Sequence, residues 1–340
     1  MHAPGSHPST RARRTGPRRR TRAGLLAAAA VALVAVACGP QNPGAAPSSS
    51  TTAPSTGANT TDHVLDVGNQ YGDRYADGIL PVGDGHYSLT KPAVGTVFLC
   101  HSGDPNGGGA GTRGPWFSAD GTTYDINQKA HVQGDVHWDG VYSVHVDGDV
   151  RTVTTNDLPE DHTTGVFPVS PTDPAYQYDR NPNHVQGQTL TYRLDAHPEV
   201  RTAPTCMGGE SGVMNTGVAL FDGFDAGLRD AGAWEVQDDC SGHPQQDGEY
   251  HYHTLSSCIT DVSVTDVIGW ALDGFPITGP TLAPGNVLTT ADLDECHGIT
   301  SEVTVGGVPT NTYHYVMTQD FPYSVSCFRG VPIQAPHTGQ

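Results

Sequence analysis

The chain has 340 residues, with seventeen Lys+Arg against thirty-six Asp+Glu, a formal net charge of −19 and 7% aromatic residues. Seven of the arginines lie between Arg11 and Arg22, so the rest of the chain carries ten basic against thirty-six acidic residues, a charge near −26. Such a chain lacks the basic footprint that binding to phosphates requires, which excludes nucleic acid as a partner.

The arginine-rich lead contains no acidic residue and runs into fifteen apolar residues, Ala23 to Ala37, that end at Cys38. This is the layout of an export signal over residues 1–37, and the apolar run falls short of the roughly 20 residues that a spanning helix needs. Ala35-Val36-Ala37-Cys38 resembles the lipobox of bacterial lipoproteins, which implies lipidation of Cys38 with acyl chains such as palmitate. Residues 38–61 are Ser, Thr, Pro, Ala, Gly and Asn with almost no other type, a composition that cannot bury enough apolar surface to offset chain entropy. The expected partner is therefore the membrane through a lipid anchor, with the folded part held outside the cytoplasm. The sequence names no protein partner.

Beyond the tether, short alternating runs such as Val141 to Val146 and Thr189 to Leu194 are broken every ten or so residues by Gly, Asp, Asn and Pro. The pattern predicts an all-β fold with short helical turns. Forty-two glycines and twenty-six prolines leave little room for long helices. The nearest helical candidate is Ala226 to Val236, and another turn is expected near Ala291-Asp292-Leu293. Residues 62–177 read as an N-terminal β-rich region and 178–332 as a second one, with a seam at Val169 to Pro174, although the absence of a second linker favours one continuous unit. The run Asp104 to Gly109 reads as a plain loop.

The C-terminal half repeats itself, an expectation of an internal two-fold. Gly217-Val218-Ala219-Leu220-Phe221-Asp222-Gly223-Phe224 echoes Gly269-Trp270-Ala271-Leu272-Asp273-Gly274-Phe275. Asp239-Cys240-Ser241-Gly242-His243 echoes Glu295-Cys296-His297-Gly298-Ile299, and Tyr250-His251-Tyr252-His253 echoes Tyr313-His314-Tyr315-Val316. With Cys38 lipidated, six of the seven cysteines remain for disulfides. Six allow 15 pairings. Each repeat has one cysteine before its Tyr-His-Tyr and one after, which predicts Cys240–Cys258 and Cys296–Cys327 and leaves Cys100–Cys206 by elimination.

On a strand, residues two apart share a face, so His251 and His253 point the same way and can chelate one ion. Imidazole nitrogens suit zinc or copper. His243, inside the same expected disulfide loop, is the natural third ligand, His297 and His314 are contributed by the sister repeat, and Asp239 and Asp273 are candidates to ligate or to orient a ring. The second repeat has Val316 in the place of His253 and Ile299 in that of His243, which predicts one asymmetric site rather than two equal ones. His162 is a further histidine able to face the site, and His101, His131, His137 and His145 read as surface or turn residues.

Taken together, Asp238-Asp239-Cys240-Ser241-Gly242-His243-Pro244, Tyr250-His251-Tyr252-His253, Ile268 to Ile277, Leu293 to Gly298 and Cys327-Phe328-Arg329-Gly330 resemble the YHYH domain family of exported bacterial proteins. The resemblance implies a domain boundary upstream near Asn181 and gives weight to His251 and His253; it implies no established activity. Three functions fit: a tethered transition-metal-binding protein, a metal-dependent enzyme acting outside the cytoplasm, or a metal-free structural or adhesive module. The last is favoured if the imidazoles are buried and bonded to backbone.

Overall fold

A computed structural model of the chain describes residues 72–103, 107 and 110–336. Cys38, the export signal and the tether lie outside these, as does most of the run Asp104 to Gly109. Four short strands come first, β1 (Ile79–Pro81), β2 (Tyr87–Ser88), β3 (Val97–Phe98) and β4 (Thr123–Asp125), with β1 antiparallel to β4 and β2 parallel to β3. A three-stranded antiparallel sheet follows in the order β5 (Tyr142–Asp147), β6 (Val150–Thr155), β7 (Leu190–Asp195). Burial alternates along its two inner-facing strands: Arg151, Val153 and Thr155 of β6 and Leu190, Tyr192 and Leu194 of β7 are buried, and their neighbours are less so.

The main sheet has eight strands: β8 (Glu210–Met214), β9 (Ala219–Phe221), β10 (Gly242–Pro244), β11 (Tyr250–Tyr252), β12 (Val267–Ala271), β13 (Pro276–Thr278), β16 (Gly298–Val305) and β17 (Val308–Val316). The small hairpin of β14 (Thr281–Ala283) and β15 (Asn286–Val287) stands apart. The order in the main sheet is β10-β11-β9-β8-β12-β13-β17-β16, a palindrome of two four-stranded halves joined between β8 and β12. Each half is an antiparallel hairpin followed by a parallel crossover to the second strand of another antiparallel pair. The halves meet at the Val213–Trp270 pair, flanked by Gly212–Ala271 and Met214–Gly269.

This register corrects one of the sequence echoes. Ala219 and Leu220 pair with His251 and Tyr252, and Ile277 and Thr278 pair with Tyr315 and Val316. The equivalent of Leu220 is therefore Ile277 in β13, not Leu272 after β12. The turn glycines agree, because Gly217 and Gly274 both adopt left-handed φ, of 91° and 89°, between the strands of their hairpins. The Gly-rich echo matched the second strand of one hairpin to the first strand of the other.

The inner faces of β6 and β7 pack on the main sheet through Val153, Leu190, Tyr192 and Leu194 against Val213, Leu220 and Trp270. Arg151 is buried there, its guanidinium 3.5 Å from the centre of the Trp270 ring and donating to the Gly274 carbonyl at 3.1 Å. A second core joins Leu80, Trp116, Phe117, Tyr124 and Val132 to Ala233 and Val236. Ala233 belongs to the one α-helical turn among the described residues, α1 (Ala231–Trp234), which lies inside the expected helical stretch, and Val236 follows it. The turn expected near Ala291 is a 3₁₀ turn over Thr290–Asp292. Three disulfides close the fold: Cys240–Cys258 and Cys296–Cys327, the pairs that the repeat selects, and Cys100–Cys206, the pair left by elimination. The described residues all fall within one compact unit, Thr60–Gln340.

Candidate metal centre

The site grows out of a turn that both repeats share. Asp238 Oδ1 accepts the backbone N–H of Cys240 at 3.0 Å and of Gly242 at 3.1 Å, and the Tyr250 hydroxyl at 3.0 Å. Asp294 does the same for Cys296, Gly298 and Tyr313, at 2.9, 3.0 and 3.0 Å. The residue before each glycine is forced to positive φ, Ser241 at 63° and His297 at 71°. The glycine has no alternative, because a Cβ on Gly242 or Gly298 would collide with the Tyr250 or Tyr313 ring beside it. The turn delivers His243 as the cross-strand partner of His251, and Ile299 as that of His314.

Strand alternation then divides Tyr250 to His253. The Tyr250 hydroxyl goes to Asp238, and that of Tyr252 lies 2.8 Å from His162 Nε2, so His162 serves the phenol side rather than the histidine side. On the other side the rings of His243, His251 and His253 gather, with centroids 4.5, 5.4 and 4.9 Å apart. His251 Nδ1 lies 3.2 Å from the Glu249 carbonyl and His253 Nδ1 2.5 Å from the Asp222 carbonyl. Because a carbonyl only accepts, each Nδ1 carries the proton and each Nε2 presents a lone pair. Those two Nε2 atoms are 3.1 Å apart. His243 has no hydrogen-bond partner at either nitrogen.

A carboxylate beside the triad was not among the residues chosen from the sequence. Glu235 Oε2 lies 3.3 Å from both His243 Nε2 and His253 Nε2 and makes no hydrogen bond. Glu235 caps the C-terminal end of α1, and its backbone N–H closes that turn onto the Ala231 carbonyl. The turn is fixed by Lys129, whose buried ammonium donates to the Gly232 carbonyl at 2.6 Å and to Gln237 Oε1 at 2.9 Å, and by Trp116 donating to the Ala233 carbonyl at 2.9 Å. Burial lowers Lys129 to about 8. Burial, reinforced by Asp225 and Asp179, holds the Glu235 carboxyl well above the usual carboxylate range. Burial also holds His243 and His251 well below the usual imidazole range and brings His253 to about 4.

Among the described residues, His243, His251 and His253 are the group whose donor atoms lie within 4.8 Å of one another and can hold a metal ion. His297 and His314 do not join them. His297 Nε2 bonds Thr318 Oγ1 at 2.9 Å, and His314 is bracketed by Thr278 Oγ1 at 2.9 Å and Ser301 Oγ at 2.8 Å. Burial places these two at about 3 and about 4. Asp273 is committed to the second repeat, accepting the Tyr315 hydroxyl at 2.6 Å and the Gly330 N–H at 2.8 Å. Asp239 is half-buried, and its carbonyl accepts from Ser257. His101 lies on the same cleft wall as the triad, stacked above Gly208. A sequence signal for Glu235 was present only as a lone carboxylate in Ala233-Trp234-Glu235-Val236.

The YHYH protein family model matches residues 191–286 and 283–330. This part of the chain is a YHYH domain. No curated protein and no solved structure matches the chain. The three histidines and Glu235 lie within the YHYH domain, whereas Lys129 and Trp116, which brace α1, come from before it. The three disulfides suit an oxidising compartment outside the cytoplasm.

Proposed function

We propose that the protein is an exported lipoprotein, anchored through Cys38, whose YHYH domain binds copper or zinc through Nε2 of His243, His251 and His253 with the Glu235 carboxylate as the fourth donor. One observation carries the metal reading. Two buried Nε2 lone pairs face each other at 3.1 Å while both Nδ1 positions are taken by carbonyls, so no hydrogen bond between them is available without a proton that burial disfavours. A cation relieves that repulsion and leaves each ring oriented by a backbone acceptor, the arrangement usual for metal-bound imidazoles. A metal-free structural role accounts for the Nδ1 bonds and leaves the convergent Nε2 atoms of His251 and His253 without a purpose.

The test is elemental analysis of the full chain, purified in detergent without a histidine tag and offered both ions, beside a His251→Ala/His253→Ala variant that keeps the native circular dichroism. Near-stoichiometric metal, lost in the variant, is expected; an equally empty wild type after loading sinks the reading. The anchor rests on the lipobox-like Ala35-Val36-Ala37-Cys38. Labelled palmitate should enter the wild type and not a Cys38→Ser variant. A second reading, a metal-dependent enzyme, is favoured by the cleft of about 860 Å³ onto which all four donors face. In that case the ion keeps a position for water or substrate.

A further inference from the structure

Resting on the metal reading above, we propose that the ion is open on its cleft side and takes there the carboxylate of a small organic acid, whose apolar body lies along Leu99, Phe221, Phe224 and Leu228. The cleft holds about 860 Å³, room for an organic molecule of some size rather than for a water or an inorganic ion. All four donors form part of its lining and are themselves buried, with exposures of 3–7%. They meet the ion from the protein side, and its remaining face looks into the cleft. Zinc expands from four ligands to five, and copper accepts further ligands in tetragonal geometry.

The wall beside the ion is apolar and rigid. Phe221 stacks on His251 with ring centroids 4.2 Å apart, and Phe224 is wedged between Phe321 at 4.9 Å and Tyr87 at 6.1 Å. Leu228 holds a left-handed φ of 62°, rare for a residue with a Cβ, inside a turn that Asp225 clamps. Asp225 Oδ1 accepts Gly227 N–H and Arg229 N–H, both at 2.8 Å, and Oδ2 pairs with the Arg229 guanidinium at 2.6 Å. That turn sets Leu228 into the cleft.

The polar groups along the cleft are mostly engaged. Asp222 accepts the N–H of Gly209 at 2.7 Å and of Phe224 at 2.9 Å, while Asn181 and Asn183 donate to the Pro244 carbonyl at 3.0 and 3.2 Å. The groups left to meet a charged head are the ion and the exposed side chains of Arg180, His101 and Gln246. A divalent ion holding one carboxylate keeps one positive charge, which a monoanion neutralises. An organic monocarboxylate is the ligand that uses both the ion and the apolar wall.

The full chain, in detergent and loaded with cobalt(II) as the visible probe, is titrated with benzoate and with acetate. Benzoate should perturb the cobalt absorption saturably, with a midpoint about tenfold below that of acetate, the gain coming from its ring on the apolar wall. Leu228→Ala should narrow that gap, and Arg180→Gln should raise both midpoints together. A cobalt-loaded chain whose spectrum ignores both acids, or that shows equal midpoints, overturns this inference while leaving the metal reading intact. A Leu228→Ala chain with the gap undiminished removes the apolar wall from it. A chain that takes up no cobalt overturns the metal reading itself.

Discussion

Burial gives the donor atoms opposite protonation costs, and these set how the centre exchanges protons for metal. His253 sits at about 4, with His243 and His251 also held well below the imidazole range, so all three are neutral and ready to ligate at neutral pH. Burial pushes the Glu235 carboxyl well above the usual carboxylate range, so any proton it carries must be displaced by an incoming ion. Metal uptake should therefore release a proton over the pH range in which Glu235 is protonated, a stoichiometry read by calorimetry in two buffers of different ionisation enthalpy. Glu235→Gln should release none and bind roughly tenfold or more weakly, one decade being 1.4 kcal/mol. The same shifts fix the response to acid. A depressed imidazole pKa keeps the neutral ring as pH falls through the unperturbed 6.5, so proton competition for the imidazoles begins only nearer 4, and above that only the Glu235 proton competes. Metal should stay bound after dialysis at pH 6 and leave at about pH 4; release already complete at pH 6 contradicts the burial argument. At this scale His243, His251 and His253 were legible from strand alternation and a shared loop. Glu235 was not, because a carboxylate at the end of one helical turn has no spacing to betray it, and its place depends on Lys129, far away in the chain. His297 and His314 were over-counted, since Thr318, Thr278 and Ser301 satisfy them and no sequence pattern marks a hydroxyl as a future imidazole partner.

At the level of elements, two copies of one strand pattern carry different contents in the same frame. Asp238 and Asp294 tie identical turns, and β10–β11 and β16–β17 hold identical registers, yet Ile299 and Val316 stand where His243 and His253 stand in the first copy. The Cys and Tyr-His-Tyr echoes were readable because side-chain chemistry fixes those turns. The glycine-rich echo slipped by one strand because glycine and apolar residues recur in both strands of a hairpin, and only pairing with β11 or β17 separates them. The disulfides divide accordingly. Cys240 and Cys258, 18 residues apart, enclose all three histidines, whereas the 31-residue loop between Cys296 and Cys327 encloses none of the donors. Replacing either pair by serines should cost about 3 kcal/mol of stability, by the chain-entropy argument for loops of this length. The two variants should differ in their metal. Loss of Cys240–Cys258 should weaken metal binding and let added metal recover part of the lost stability, and loss of Cys296–Cys327 should leave stoichiometry and affinity as in the wild type. Urea unfolding with and without the ion reads both, and identical metal responses in the two variants would show that the first disulfide does not shape the site.

Across the whole molecule, the boundary suggested by the sequence at 177/178 runs between strands that pair. β7, which follows it, is hydrogen-bonded along its full length to β6, which precedes it, from Thr155–Leu190 to Val150–Asp195. Sequence patterning identified β5 and β7 as strands but not β6 between them, and the β6–β7 pairing spans a long connection that periodicity does not report. The dependence extends to the metal centre, because Lys129 and Trp116 brace α1 and so hold Glu235 in place. A chain beginning at 178 therefore loses more than a neighbour. Its β7 becomes an unpaired edge, Val153 leaves the core that Leu190, Tyr192 and Leu194 complete, and the buried face of α1 loses Trp116, Phe117 and Val132. The expected product exchanges its β7 amides rapidly, binds a hydrophobic dye, and takes up metal weakly or not at all, while the full chain protects those amides and binds stoichiometrically. Restoring 62–177 as a separate polypeptide should recover protection in β7 only where the two pieces associate. If the chain from 178 instead unfolds cooperatively and holds one ion per molecule, the YHYH domain is self-sufficient and the N-terminal strands are an accessory to it.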